Sequence, residues 1–283
     1  MDHPGRIVRH PKFGQPRRMT MPAADPPLCW ICRTNPADSS EHIFKARDLQ
    51  RLFGGADPSP ENWPYHFKSD KHPGRLKGTD AQRAKYPKIM CRECNNARTS
   101  DFDRAYDALS DYLMAKQLDQ DLDAIDFQEV FGSDYVAKLD LLKRYLVKSL
   151  GCRIIVTEYL MPVDFPKPLT GKNLERLTFS ICRHNPFKGL GEAADEGMAG
   201  MLGKGNLLGQ YSRSHHEKTG ERLLLTALWW ENLGLFQINY WLNIAHNPDL
   251  GAPIGNDRFY KLERSSLDLQ GMRDLMEHWL ETH

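Results

Sequence analysis

The sequence of 283 residues predicts a mixed α+β fold. Two Cys-x2-Cys pairs, Cys29/Cys32 and Cys91/Cys94, predict an N-terminal module whose distant segments are tied together by a metal ion. Apolar residues at three- and four-residue spacing predict helices in the middle of the chain. Runs of β-branched and aromatic residues bounded by turn formers predict strands after residue 150.

These features divide the chain into four regions. Residues 1–28 combine prolines with arginines and show no apolar periodicity, which predicts a disordered basic arm that either contacts a phosphate backbone or has no role. Residues 29–105 hold both cysteine pairs. Residues 106–150 are predicted to form a helical connector, and residues 151–283 an α+β region that recognises a target or a partner.

Helices are predicted where apolar residues recur on one side of a segment. The predicted helical segments are 95–118, 134–150 with Gly151 as its stop, and 267–281. The acids of the first helix, Asp103, Asp107 and Asp111, are expected on a solvated stripe.

Strands are predicted where β-branched and aromatic residues cluster. The strand segments are 152–159, 177–182, 223–229 and 233–242, with Glu231-Asn232 as a short hairpin turn between the last two. The glycine-rich segment 189–209 is interpreted as a loop or a broken helix, because no strand leads directly into its glycines.

Charge is balanced overall but segregated along the chain. The formal net charge is +1, yet residues 42–98 contain 12 basic against 6 acidic side chains, and residues 101–134 contain 10 acidic against 2 basic. A basic module is therefore followed by an acidic one. Any affinity for a polyanion must come from this local surplus rather than from a global field.

The cysteine pairs are best interpreted as a zinc site. No run reaches the roughly 18 apolar residues of a membrane span, and no secretory signal is recognisable, so a cytoplasmic location with reduced thiols is expected. Two Cys-x2-Cys pairs can complete a tetrahedral set of thiolates around one structural Zn²⁺. The alternative is a redox role, but neither pair lies in a βαβ pattern.

Two further motifs accompany the cysteines. The run Ser39-Ser40-Glu41-His42-Ile43 lies between the pairs, and Asn95 directly follows the last cysteine. This order, a Cys-x2-Cys pair, an acid–histidine dipeptide, and a second pair followed by Asn, resembles the zinc-knuckle subset of HNH endonucleases, which have a ββα-metal core. The resemblance covers approximately residues 29–105.

The resemblance implies a role for each matching residue. His42 would be the general base that activates water, and Glu41 and Asn95 would bind a catalytic divalent cation. Their hard oxygen atoms favour Mg²⁺ or Mn²⁺, and an imidazole can accept a proton near neutral pH. A Glu-His dipeptide alone usually belongs to a surface loop; its place between the cysteine pairs is what indicates catalysis.

Several cations near these motifs are candidates for contact with phosphate: Arg98, Lys45, Arg47, Arg92 and Arg51. Each is individually also compatible with a solvated surface residue. The segment 63–77 could stack bases or simply pack, and Asp103 could support the metal or lie in solvent. The residue that orients His42 is left open, with Asn62 a weak candidate.

The predicted function is hydrolysis of DNA phosphodiester bonds by a metal-dependent HNH endonuclease, in a context such as phage defence or a mobile element. Two alternatives stay open: an RNase or toxin with the same metal centre, and a non-catalytic zinc-knuckle module that binds nucleic acid or protein. The C-terminal region would select the target, or bind a protein partner or a second copy of the chain, and no membrane partner is expected.

Overall fold

A computed structural model describes residues 27–53, 65–68, 71–76, 78, 81–119, 121–171, 177–184, 202–204, 207–243 and 251–265. Within these ranges the chain is a mixed α+β protein with five α-helices and several sheets, as the sequence predicts. None of the helices in these ranges is long and apolar enough to cross a lipid bilayer. Residues 1–26 of the predicted arm, Asn62 and the predicted helix 267–281 lie outside the described residues.

The N-terminal module surrounds the two cysteine pairs. Its elements in chain order are β1 (Ser39–His42), α1 (Ala46–Phe53), β2 (Tyr65–Lys68), β3 (Lys71–Arg75), β4 (Lys85–Met90), a π-helical segment (Glu93–Arg98) and α2 (Ser100–Lys116). Strands β1 and β4 form an antiparallel pair, and β2 pairs with β3 in the same way. Helix α2 begins almost directly after β4, so the second cysteine pair lies at the junction of strand and helix.

Two packed helices connect this module to the rest of the chain. After β5 (Ala124–Asp126) and the short α3 (Phe127–Phe131), helix α4 extends over Tyr135–Ile155 and packs against α2. The rings of Tyr106 and Tyr145 stack between them with centroids 4.1 Å apart. The predicted helices 95–118 and 134–150 are confirmed, because each has an apolar side that is buried against the other.

The C-terminal part is built on a seven-stranded sheet. Its further elements are β6 (Tyr159–Leu160), β7 (Leu177–His184), β8 (Leu202–Lys204), β9 (Leu208–Tyr211), α5 (Arg213–Thr219), β10 (Arg222–Leu233), β11 (Phe236–Leu242), β12 (Phe259–Lys261) and β13 (Glu263–Ser265). The sheet has the order β13-β7-β11-β10-β6, and β8 and β9 also pair with β10. Strand β12 instead joins β5 in a separate antiparallel pair.

One hydrophobic core runs through all three parts. It extends from Trp30 in the first cysteine pair, through Leu109 of α2 and Leu146 of α4, to Trp229 and Ile238 of the sheet. The cysteine module is thus packed onto the helices and the sheet. The boundaries drawn from the sequence at 105/106 and 150/151 fall inside α2 and α4.

The predicted strand 152–159 is wrong over most of its length. Helix α4 continues to Ile155, because the side of the helix that carries Tyr145 and Leu146 stays buried through Cys152. Gly151 does not stop the helix. A Cβ at this position would overlap the indole ring of Trp30, so glycine here permits the close approach of the indole.

Two predictions in the sheet region are also corrected. Glu231 and Asn232 do not form the hairpin turn, since both lie in β10 and pair with Ile238 and Gln237 of β11. The turn is Gly234-Leu235, where Gly234 adopts a φ of 57°, a conformation that costs glycine little. In the segment interpreted as a loop or broken helix, the described residues 202–204 and 208–211 are strands.

Candidate metal centre and adjoining acid–histidine–amide site

The four paired cysteines converge at one point, as predicted. The sulfur atoms of Cys29, Cys32, Cys91 and Cys94 all lie within 4.8 Å of one another. Tetrahedral zinc–sulfur bonds of about 2.3 Å require sulfurs about 3.8 Å apart, and Sγ of Cys32 lies 3.8 Å from Sγ of Cys91. The cluster is therefore close enough to bind a metal ion such as zinc.

Local backbone geometry brings each cysteine pair to the centre. The first pair lies in a tight loop in which the amide of Cys29 donates to the Asn35 carbonyl and the amide of Arg33 donates to the Cys29 carbonyl, each at 2.8 Å. Arg33 adopts a left-handed φ of 57° that reverses the chain after Cys32. The second pair begins the helical segment, where Asp38 accepts from the amide of Arg92 at 2.9 Å.

The surroundings affect the ionisation of the thiols in different ways. Burial raises the pKa of Cys29 and of Cys94. At Cys32 burial acts in the same direction, but hydrogen bonds from Thr34 and from the Asn35 backbone outweigh it and lower the pKa to about 6. Buried thiolates without a cation would be costly, so a bound metal ion is the natural compensation for a cluster of this kind.

Asn95 is fixed against β1 by its amide nitrogen. Nδ2 donates to Oγ of Ser39 at 2.9 Å and to the Ser40 carbonyl at 3.1 Å. Because a carbonyl can only accept, the nitrogen must face β1 and the amide oxygen must point the other way. That oxygen, Oδ1, is buried and has no hydrogen-bond partner among the described residues. A buried acceptor without a partner normally costs about 1–3 kcal/mol.

The segment that carries Asn95 has an unusual helical form. Residues Glu93–Arg98 form a π-helix rather than an α-helix. Such turns are rare and occur often at functional sites, because they shift side chains relative to a regular helix. The π-helix thus places Asn95 next to the cysteine cluster and toward β1 at the same time.

Glu41 lies on an irregular part of β1. The ladder to β4 shifts register on both sides of Ser40, first between Ser39 and Ser40 and again between Ser40 and His42, so Glu41 lies within the second irregularity. Pro87 of β4 falls within the second irregularity and has no backbone N–H to donate to the ladder. Irregularities of this type redirect side chains from the regular alternation of a strand.

The carboxylate of Glu41 is ion-paired with a buried lysine. Nζ of Lys148 lies 3.2 Å from Oε2 of Glu41 and 3.0 Å from Oδ2 of Asp103. Burial acts against the charge of Lys148, but the attraction of Glu41 and Asp103 outweighs it and raises the pKa of the ammonium group. Oε2 is the oxygen of Glu41 that lies nearest to the ammonium, so Oε1 is the carboxylate oxygen farther from Lys148.

The same ion-pair network extends to α2. Asp103 also binds Nζ of Lys45 at 3.1 Å, and Lys45 lies 3.3 Å from Asp107. The expectation of a solvated stripe is therefore wrong for Asp103 and Asp107, which are mostly buried, whereas Asp111 keeps 40% of its side chain accessible. Lys45, Arg47 and Arg51, which follow β1, pair with acids of α2, so part of the basic block is neutralised by part of the acidic block.

His42 lies at the end of β1, opposite Lys85 in the ladder, with its Nε2 atom buried. The contacts of this region bring Asn95 to the backbone beside Glu41, while the Glu41 side chain itself contacts Lys148. The three residues named from the sequence thus share one short strand and the helical segment packed on it. Their catalytic role stays a prediction.

The cations named as phosphate contacts all have acidic neighbours. Lys45 pairs with Asp103, Arg47 with Asp111, Arg92 with Asp38 and Arg98 with Glu93. Arg51 binds Asp48 and Asp111. Arg92 is the most exposed of them, with 79% of its side chain accessible and a long ion-pair distance of 3.5 Å.

Two lysines that the sequence reasoning did not single out lie close to the site. Lys148 is almost fully buried, and the signal for it in the sequence is a lysine on the apolar side of a predicted helix. Lys88 of β4 is directly opposite Ser40 in the ladder. It is exposed and has no ion-pair partner in the part of the chain that the structure describes.

No protein-family model, curated protein or solved structure matches this chain. The resemblance to HNH endonucleases therefore depends on the motif residues of the sequence.

Proposed function

We propose that the protein is a metal-dependent HNH-type endonuclease that hydrolyses DNA phosphodiester bonds. The observation that carries this proposal is the Oδ1 atom of Asn95, which is buried and has no hydrogen-bond partner among the described residues. Asn95 directly follows Cys94 of the cysteine cluster, and its side chain is hydrogen-bonded to the strand that contains Glu41 and His42. A buried acceptor without a partner is unfavourable unless a ligand completes it.

The oxygen atoms at the site fit a small, hard divalent cation. Oε1 of Glu41 and Oδ1 of Asn95 are the two protein oxygens that would hold it, and both types of oxygen suit Mg²⁺ or Mn²⁺. Among the described residues, Glu41 belongs to no second cluster of three or more His, Cys, Asp or Glu side chains. A site with two protein ligands agrees with the preference of Mg²⁺ to keep several waters.

The proposed chemistry divides between the cation and the imidazole. A divalent cation would supply charge stabilisation at a phosphodiester, which otherwise repels an attacking nucleophile. His42 would accept the proton from the attacking water, a task that suits an imidazole near neutral pH. The hydrogen bonds from Nδ2 of Asn95 to the Ser39 hydroxyl and to the Ser40 carbonyl fix its amide, so the site would be organised before substrate binds.

The order of elements supports this assignment. Strands β1 and β4 form an antiparallel pair, and a helical segment follows β4 without a long connection. The acid and histidine lie on the first strand and the amide on the helical segment, which is the arrangement that a ββα-metal core requires. A metal ion bound by the four cysteines would link the loop that precedes β1 to the start of the helical segment after β4.

Contacts with the phosphate backbone are proposed for a smaller set of cations than the sequence indicates. Lys88 lies across the ladder from Ser40 and forms no ion pair with the described residues. Arg92 is largely exposed, and its long ion pair with Asp38 is worth little in water. These two side chains could bind phosphate without first breaking a buried ion pair.

Cleavage assays with the full zinc-loaded chain test the proposal. Supercoiled plasmid DNA and a single-stranded RNA are incubated with Mg²⁺ or Mn²⁺ and with wild type, His42→Ala and Asn95→Ala. We expect EDTA-sensitive DNA nicking by wild type and a loss of about 100-fold or more in either variant, the scale of removing a catalytic base. Asn96→Ala is the matched control, since Asn96 is the exposed neighbour of Asn95.

The assay outcomes separate the alternatives. Nicking by wild type that persists in His42→Ala, or that survives EDTA, would refute the proposed mechanism. Cleavage of RNA alone would indicate the RNase alternative with the same metal centre.

A non-catalytic zinc-knuckle module is the second candidate. The observation that favours it is the neutralisation of the basic segment by the acids of α2, which leaves few unpaired cations in the described residues for a nucleic acid. This function predicts that no variant at Glu41 or His42 changes partner binding, and that wild type does not cleave DNA or RNA under any metal condition.

A further inference from the structure

Lys148 is buried between two carboxylates of different elements. It projects from α4, and its ammonium contacts Glu41 of β1 and Asp103 of α2 with only 2% of the side chain accessible. A buried lysine is strongly unfavourable unless its charge is compensated. The ammonium binds both oxygens of Asp103, at 3.2 and 3.0 Å. Asp103 is also shared with Lys45, so Glu41 completes the compensation of Lys148, and Lys148 in turn compensates part of the charge of Glu41.

The charges around Glu41 do not cancel. Glu41, Asp103 and Asp107 contribute three negative charges, while Lys45 and Lys148 contribute two positive charges. The network keeps one net negative charge, and Oε1 of Glu41 is the carboxylate oxygen farther from the ammonium of Lys148. Cation affinity at this oxygen therefore depends on how much of the charge of Glu41 is compensated by Lys148.

We propose that Lys148 is a positioning residue that sets the divalent-cation affinity of the site by holding Oε2 of Glu41 and compensating part of its charge. The proposal rests on the proposed function, because it assumes that Oε1 of Glu41 binds the cation. Lys148 keeps this oxygen oriented and keeps cation binding weak enough for exchange. Asp103 strengthens cation binding, because it attracts the ammonium of Lys148 and so leaves more of the charge of Glu41 uncompensated.

Substitutions of Lys148 and of Asp103 should change the affinity for the divalent cation in opposite directions. Lys148→Met removes the competing positive charge with little change in side-chain length, so cation binding becomes tighter by about tenfold or more. Asp103→Asn leaves the ammonium to Glu41 alone and removes a nearby negative charge, so binding becomes weaker. A purely structural role would weaken binding in both variants.

The experiment is a Mn²⁺ titration of the full zinc-loaded chain, in which electron paramagnetic resonance reports the free Mn²⁺ and zinc analysis confirms the fold. Lys45→Met is the matched control, because Lys45 binds Asp103 and Asp107 without contacting Glu41. It should change Mn²⁺ affinity less than Lys148→Met does. Lys148→Arg keeps the charge and should stay within about threefold of wild type.

Unchanged or weaker Mn²⁺ binding by Lys148→Met at full zinc content would overturn the proposal. If Lys148→Met loses its zinc, Asp103→Asn decides, and unchanged or tighter binding by that variant overturns the proposal. Glu41→Gln distinguishes failure of this proposal from failure of the proposed function. Equal Mn²⁺ binding by wild type and Glu41→Gln would refute both the cation site and the proposed function. Mn²⁺ binding that depends on Glu41 but is unchanged by substitution of Lys148 would refute only the role of Lys148.

Discussion

Replacement of Asn95 by alanine should abolish most of the nuclease activity while it leaves the free energy of unfolding nearly unchanged in the absence of the divalent cation. The change removes two hydrogen bonds, from Nδ2 to Ser39 and to the Ser40 carbonyl, and it also removes the buried orphan oxygen Oδ1. Two net hydrogen bonds are worth about 2 kcal/mol together, and relief of a buried unsatisfied acceptor returns about 1–3 kcal/mol. Without a divalent cation, the free energy of unfolding should therefore change by no more than about 1 kcal/mol.

The presence of the cation changes this balance. A ligand at about 100 times its dissociation constant stabilises the folded state by about 2.7 kcal/mol. Wild type should gain stability of this order when Mg²⁺ or Mn²⁺ is added, and Asn95→Ala should gain much less. Urea unfolding of the zinc-loaded proteins, with and without the cation, measures both quantities, and plasmid nicking measures activity on the same samples.

Asn96→Ala serves as the control for this comparison, since it alters an exposed amide on the same helical segment. It should match wild type in stability, cation response and nicking. If Asn95→Ala lowers the free energy of unfolding by more than about 3 kcal/mol without the cation, the main role of Asn95 is to stabilise the fold. An equal cation response in wild type and Asn95→Ala would exclude Asn95 as a ligand.

Three further predictions concern the metal cluster, the packing of the knuckle and acid stability. Cys91→Ser should lose tightly bound zinc and unfold the N-terminal module, because structural zinc binding contributes about 10 kcal/mol or more. Zinc analysis and circular dichroism measure the loss of zinc and of structure. Retention of zinc by this variant would contradict the prediction. Gly151→Ala should lower stability by about 1–3 kcal/mol through overlap with Trp30, and an unchanged melting temperature would refute the packing argument. The hydrogen-bonded ion pair with Arg258 lowers the pKa of Asp126 from 3.8 to about 2, so its stabilisation is present above pH 3.8 and is lost as the pH falls toward 2. The difference in stability between wild type and Arg258→Ala should therefore shrink over that interval in acid-unfolding curves, and a constant difference would contradict the assignment.

Local spacing explains what the sequence predicts well. Two residues between paired cysteines fix how the thiolates can turn toward one ion, and the convergence of Cys29, Cys32, Cys91 and Cys94 follows from that local rule. The 3.6-residue period identifies α2 and α4 in the same way, because burial of one side imposes the pattern. Neither inference requires knowledge of how distant segments pack.

Packing between distant segments explains what the sequence does not predict. The contact between Glu41 and Lys148 joins residues more than 100 positions apart and depends on the docking of α4 against β1. The continuation of α4 past Gly151 depends on Trp30, which comes from the first cysteine pair. The ion pairs of Lys45 and Arg47 with α2 likewise appear in the sequence only as two blocks of opposite charge.

The most direct test of the account is Mn²⁺-dependent plasmid nicking by wild type and Glu41→Gln at equal zinc content. Gln keeps the size of the side chain and removes the charge that would hold the cation. The account predicts EDTA-sensitive nicking by wild type and a loss of about 100-fold or more in Glu41→Gln with zinc retained. Absence of nicking by wild type, or equal nicking by the two proteins, would contradict it.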